Sequence, residues 1–236
     1  MKTENLNKKN TQLDESEAKS SVDCRVIQPN SFINGDCMEF MRTCPPNFFD
    51  LAIVDPPYGI DWMKQIKNPN LNKSWKKHTN KNWDVSPPDD EYFNELKRVS
   101  KNQVIWGGNY FDMPKTRCWL IWDKLQEFNG SDFEMAWTSF DKPSKTFRMA
   151  RCQAYVGREK IHPTQKPEEL YRWILKYLGK AGDLILDTHV GSASSLIACT
   201  ELGYNYVGFE IDKEYYEMAK SRLGRATRKY ELFEAV

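Results

Sequence analysis

The sequence predicts an α/β fold built on a largely parallel sheet, and three observations predict it. Short apolar runs of strand length alternate with helix-period segments. Three apolar runs stop abruptly at "DPPY", "DTHVGSAS" and "EID", as strands do when their tips carry a site. A hydrophobic fraction of 40% against 28% charged residues over 236 positions suffices for one real core, so residues 24–236 are expected to form one domain with a loop insertion after residue 58.

Residues 1–23 are polar and short of side chains that could offset their ordering entropy, so they are expected to be a disordered extension. "FFDLAIV" is a buried strand running into Asp55-Pro56-Pro57-Tyr58. After Pro87-Pro88, "DDEYFNELKRVSK" sets Tyr92, Phe93, Leu96 and Val99 on one helical face; "QVIW" is the next strand, closed by Gly107-Gly108-Asn109-Tyr110. "RCWLIWDK" and "FEMAWTSF" are rich in aromatic and β-branched residues and are separated by Asn129-Gly130. They predict a hairpin-like pair at the sheet edge. "KPEELYRWILKYLGKAG" predicts a helix with Pro167 at a first helical position, Glu168 and Glu169 in the first turn, and Leu170, Trp173, Ile174, Tyr177 and Leu178 at helical spacing before Gly179. "DLILD" is a strand, "THVGS" a loop, "ASSLIACTEL" a helix closed by Gly203, "YNYVGFEID" a strand, and a last helix starts near Lys213.

Composition removes several classes. No apolar run approaches the ~20 residues of a membrane helix, and the first segment lacks the apolar centre of a secretory signal, so a cytoplasmic location is expected. The six cysteines include no C-x-x-C pair and the three histidines share no ligand spacing with them, so neither a metal site nor a disulfide framework is expected. The net charge of +1 conceals an uneven distribution. Lys73, Lys76, Lys77 and Lys81 crowd the stretch 61–85 among Trp62, Trp75 and Trp83, and Arg148 and Arg151 fall in a second basic stretch; both suit contact with phosphate.

The three strand tips are expected to converge on one crevice. "DTHVGSASS", followed by Glu210, has the logic of a nucleotide half-site: a tight loop against a helix start, then an acid for a ribose hydroxyl. A pyrophosphate wants several glycines, and only Gly191 stands where they are needed. An adenosine without phosphate, such as S-adenosylmethionine, tolerates Ser192-Ala193. Asp36, in "INGDCMEFM", is a candidate partner for its adenine amino group, or else an acid in an ordinary turn.

At "DPPY", Asp55 and the Pro56 carbonyl can accept both N–H bonds of an exocyclic amino group, localising a lone pair otherwise spread into the ring. The prolines hold these acceptors without reorganisation. Tyr58 can stack on the base, which must leave the duplex to reach them.

These residues resemble the amino-group DNA methyltransferases of permuted, beta-type order: "DPPY", then "HPTQKP" at 162–167, then "DTHVGSAS" and "GFEID", the catalytic segment ahead of the cofactor loop. The likeness spans roughly residues 33–223, and "NKNWD", "WGGNYF" and "ILDTHVGSASSLIA" are similar to the small phage or prophage adenine enzymes. The resemblance implies a Rossmann-like S-adenosylmethionine-dependent methyltransferase fold, with a seven-stranded, mostly parallel sheet and helices on both faces. It implies catalytic roles for Asp55, Pro56, Pro57 and Tyr58. Cofactor contacts are implied for Asp36 and Cys37 at the adenine, Glu210 at the ribose, and Asp187, His189, Gly191 and Ser192 along the loop. Thr164, Gln165 and Lys166 would close over the methionine part, while His162 either joins them or only caps the helix entry. The usual cofactor loop reads Asp-Pro-Phe-x-Gly-Ser-Gly; here His189 stands in for the missing aromatic ring.

The activity implied is methyl transfer to adenine N6 in double-stranded DNA by a monomer or homodimer. Lys73, Lys76, Lys77, Lys81, Arg148 and Arg151 would contact DNA, and a short region, 123–160, would recognise the target. Transfer to cytosine N4, or a DNA-binding relative with an impaired cofactor loop, are the alternatives. A nicotinamide-dependent oxidoreductase is disfavoured by the glycine deficit.

Overall fold

The structure, a computed structural model, describes residues 23–60, 86–125, 131–154 and 160–234. The expected extension, apart from Asp23, and the whole 61–85 loop with Lys73, Lys76, Lys77 and Lys81 lie outside the described residues, as do parts of the expected recognition region.

The chain begins with β1 (Ser31–Asn34), α1 (Cys37–Met41) and β2 (Phe49–Val54), and continues with α2 (Asp90–Val99), β3 (Ser100–Trp106) and a 3-10 turn at Gly108–Tyr110. Then come β4 (Trp119–Asp123), β5 (Phe133–Thr138), β6 (Lys145–Arg148) and the short α3 (Arg151–Ala154). α4 (Glu168–Leu178), β7 (Leu184–Asp187), α5 (Ser194–Leu202), β8 (Asn205–Glu210) and α6 (Lys213–Glu234) complete it.

The strands form one sheet in the order β1-β8-β7-β2-β3-β5-β4-β6. Only β5 opposes the common direction: it is antiparallel to both β3 and β4, while β6 pairs parallel with β4. The mostly parallel α/β expectation holds, with two corrections. The sheet has eight strands rather than seven, and β4 and β5 do not form its edge, because β6 lies outside β4. β6 reads "KTFR" and is largely exposed, so it is held by backbone pairing that leaves no hydropathy signal.

β2 shows why the sheet needs cover on both faces. Leu51 and Ile53 join a core with α4, α5 and Ala219 and Leu223 of α6; Ala52 and Val54 join another with α1 and α2. The predicted face of α2, Tyr92, Phe93, Leu96 and Val99, is buried as expected, and Asp89 caps the helix by accepting from Tyr92 N at 3.0 Å. Pro167 occupies the cap of α4, one position earlier than predicted, where its missing N–H costs nothing.

Because seven strands run one way, the carboxyl ends of β2, β3, β4, β6, β7 and β8 share one edge of the sheet. The reversed β5 brings its beginning, Phe133 and Glu134, to that same edge.

Candidate active site

β2 delivers Asp55 half-buried at this edge, and its two oxygens have different partners. Oδ1 accepts from the Tyr58 hydroxyl at 2.7 Å, and Oδ2 accepts from the Lys166 ammonium. Burial raises the Asp55 pKa above the usual carboxylate range, with the Lys166 cation opposing and the Glu134 charge adding to the rise. Lys166 also reaches the Tyr58 oxygen at 3.1 Å and Glu134 Oε2 at 3.1 Å, and it lies over the Trp106 ring with its ammonium 5.2 Å from the centroid.

Tyr58 is fixed from three sides. Tyr110 stacks on it at 5.1 Å and 17°, Phe111 meets it edge-on at 6.2 Å, and Gly107 passes so close that a Cβ there would lie 2.2 Å from the ring.

The neighbouring tips of β7, β8 and β1 carry the acids predicted for a cofactor. Asp187 is buried with both oxygens engaged, by His189 N at 3.0 Å and by the Ser195 hydroxyl, and burial pushes its pKa up to about 7. Glu210 accepts from Gly191 N at 2.9 Å and from Asp212 N at 2.8 Å. Gly191 turns with φ +54°, beneath His162, whose ring packs against Tyr215 at 4.4 Å and whose Nδ1 lies 3.2 Å from the Thr164 hydroxyl. Asp36 caps α1, its Oδ1 accepting from Met38 N at 2.8 Å, and Cys37 is buried behind it with its thiol pKa pushed up to about 12 by burial. Ser192 gives its carbonyl to Arg222.

His189 Nδ1 sits 2.9 Å from the Thr188 hydroxyl, which bonds the Tyr92 hydroxyl at 2.7 Å, and burial pulls the imidazole pKa down to about 4. The ring is therefore neutral near pH 7. Gln165 is buried and accepts from Ile161 N at 3.0 Å, bracing the segment that carries Lys166.

The predicted residues thus fall in two adjoining groups along one sheet edge: Asp55, Tyr58 and Lys166 at β2, and Asp36, Asp187, Gly191 and Glu210 at β1, β7 and β8. Arg148 follows at the end of β6, 3.4 Å from Asp123 and two-thirds exposed, with Arg151 just beyond it. Sequence reasoning missed Glu134, Lys124, Trp106 and Tyr92. An acid within the apolar, aromatic run "FEMAWTSF" was the available sign for Glu134.

The family model N6_N4_Mtase, described as DNA methylase, matches residues 64–221. The chain belongs to this family. Among curated methylases, the type II methyltransferase M.HinfI of Haemophilus influenzae is 26% identical over 246 residues, covering 82% of this chain and 68% of that protein. M.HpaI of Haemophilus parainfluenzae is 40% identical over 81 residues, 34% of this chain and 26% of that protein, so the chain matches only about a quarter of M.HpaI. The crystal structure of an M1.HpyAVI–SAM complex superposes with a TM-score of 0.53 at 20% identity, covering 81% of this chain and 98% of that one. It shares the methylase fold. Among the described residues no helix is long and apolar enough to cross a membrane, and no cluster of His, Cys, Asp and Glu could hold a metal ion.

Proposed function

We propose that this DNA methylase transfers a methyl group from S-adenosylmethionine to N6 of an adenine flipped out of double-stranded DNA. The observation that carries the reading is the Asp55–Tyr58 corner: a rigid carboxylate and an aromatic ring at a strand tip, beside the Gly191 turn and Glu210. The cofactor's chemistry suits the residues around that turn. Asp36 and Glu210, at the adjoining tips of β1 and β8, would repel a pyrophosphate but suit ribose hydroxyls, an adenine amine and a positively charged sulfonium. Glu210 would hold the ribose, Asp36 the adenine, and Gly191 and Ser192 the loop's approach to the methionine end. Asp187 would meet the methionine end of the cofactor while its bonds from His189 N and the Ser195 hydroxyl hold that loop.

When bound, S-adenosylmethionine supplies an electrophilic methyl carbon on sulfur. Asp55 accepts one N–H of the target amine and the Pro56 carbonyl the other, concentrating the nitrogen lone pair, while Tyr58 stacks on the base. The lone pair forms the N–C bond as the C–S bond breaks and its electrons pass to sulfur. The surplus proton leaves the nitrogen for Asp55, whose raised pKa suits it as acceptor. Adenine is favoured over cytosine by the Asp of "DPPY" and by the likeness of "WGGNYF" and "ILDTHVGSASSLIA" to small phage or prophage adenine enzymes.

The test uses DNA from a methylation-deficient host and S-adenosylmethionine labelled at the methyl. Wild type should give labelled N6-methyladenine on digestion to nucleosides; label in N4-methylcytosine would overturn the choice of base. Asp55→Ala should lose at least three orders of magnitude in rate while S-adenosylmethionine still raises its melting temperature. Methylation surviving in that variant would refute the assigned chemistry.

A further inference from the structure

Lys166 is a buried cation whose three donors are all engaged. Its side chain is 2% exposed, and its ammonium contacts Asp55 Oδ2, the Tyr58 oxygen and Glu134 Oε2, one acceptor for each of its three N–H donors. It occupies one of the two Asp55 oxygens, and a cation so enclosed cannot give up a carboxylate partner without leaving an uncompensated buried charge unless another acid takes its place. Glu134 offers it another place. The other Glu134 oxygen is held by Lys124, 3.0 Å away, and Lys124 is anchored in turn by the Ser131 carbonyl at 3.0 Å. β5 supplies this acid from its first turn of strand only because it runs opposite to its neighbours, while Lys124 follows the end of β4. The two lysines outweigh the effect of burial and hold the Glu134 pKa at about 2, so the carboxylate is ionised throughout.

We propose that Glu134 is a positioning residue for methyl transfer: with Lys124 behind it, it forms the seat onto which the Lys166 ammonium withdraws when the target amine takes Asp55. Glu134 does not touch the base. It lets the catalytic carboxylate change partners without stranding a buried charge. This rests on the reading of Asp55 as the amine's acceptor.

The experiment is a cycle of Glu134→Gln, Lys166→Met and the double variant, assayed on DNA from a methylation-deficient host. Glu134→Gln leaves Lys166 clamped on Asp55, so kcat should fall at least tenfold while S-adenosylmethionine affinity and duplex affinity change little. Glu134→Asp should restore most of the rate. In the Lys166→Met background the Gln substitution should cost nothing further, because its task has gone. That double variant removes both members of a buried pair, a change proteins tolerate better than removal of one, so it answers the question even if the single variant fails to fold. An unchanged kcat in Glu134→Gln, or an equal loss in both backgrounds, overturns the proposal. Activity retained by Asp55→Ala would instead bring down the underlying chemistry.

Discussion

Asp187, the last residue of β7, and His189, on the loop that follows, stand two positions apart and resist ionisation in opposite senses. Burial lowers the His189 pKa from 6.5 to about 4 and raises that of Asp187 from 3.8 to about 7, disfavouring the charged form of each. The stability consequences run against each other. A depressed histidine binds fewer protons folded than unfolded, so its contribution is complete above pH 6.5 and is lost as pH falls toward 4. A raised carboxyl binds more protons folded, so its contribution is complete below pH 3.8 and is lost as pH rises through about 7. His189→Gln removes only the first. The melting-temperature difference between wild type and this variant should therefore widen in favour of wild type between about pH 4 and pH 6.5, then level off. A difference flat across that window would mean the imidazole is not desolvated as its surroundings require.

The connection after β3 shows what an element demands beyond its own pattern. Gly107 has φ +68°, and a Cβ there would lie 2.2 Å from the Tyr58 ring, so backbone strain and steric intrusion fall on the same residue. Gly107→Ala should cost about 1–3 kcal/mol for the backbone. It should also lower methylation more than tenfold by displacing Tyr58, with duplex binding retained; unchanged kinetics would show that Tyr58 need not sit where it does. The sequence displayed "GGNY" as a strand terminator but could not show that its glycine answers to a side chain some fifty residues earlier. The same limit explains the other omissions. α2 and α4 were legible because 3.6-residue periodicity survives in their buried faces, and β2 because every residue but Asp50 is apolar and buried. β1 and β6 are four-residue strands with little buried surface, specified by hydrogen bonds to β8 and β4. That Asp55, Glu210 and Gly191 lie along one sheet edge could be read because the tips of parallel strands share an edge in this architecture. Glu134 showed only as an acid in an apolar run, because its place at that edge depends on β5 running backwards.

Across the whole molecule, charge is balanced at 34 basic and 33 acidic residues, so any attraction to DNA must come from where the cations stand. β6 runs parallel to β4, which places Arg148 and Arg151 at the same sheet edge as Asp55, Glu134 and Glu210. The 61–85 stretch follows "DPPYGI" directly in the sequence, so Lys73, Lys76, Lys77 and Lys81 are close along the chain to the residues of that edge. On the proposed reading a duplex presented to the edge would meet Arg148 and Arg151, with the 61–85 lysines as further phosphate contacts, while the acids of the strand tips serve cofactor and target base. Phosphate contacts of this kind release condensed counterions, and each one lost should reduce the slope of log affinity against log salt by about 0.9. Lys76→Glu combined with Lys77→Glu should therefore weaken binding to any duplex and flatten its salt dependence, leaving the choice of methylated base unchanged because phosphate contacts position the protein and base contacts specify the site. Titrating a labelled duplex at several salt concentrations measures the slope directly. A double variant with the wild-type slope would remove this stretch from the DNA interface and leave Arg148 and Arg151 to account for binding.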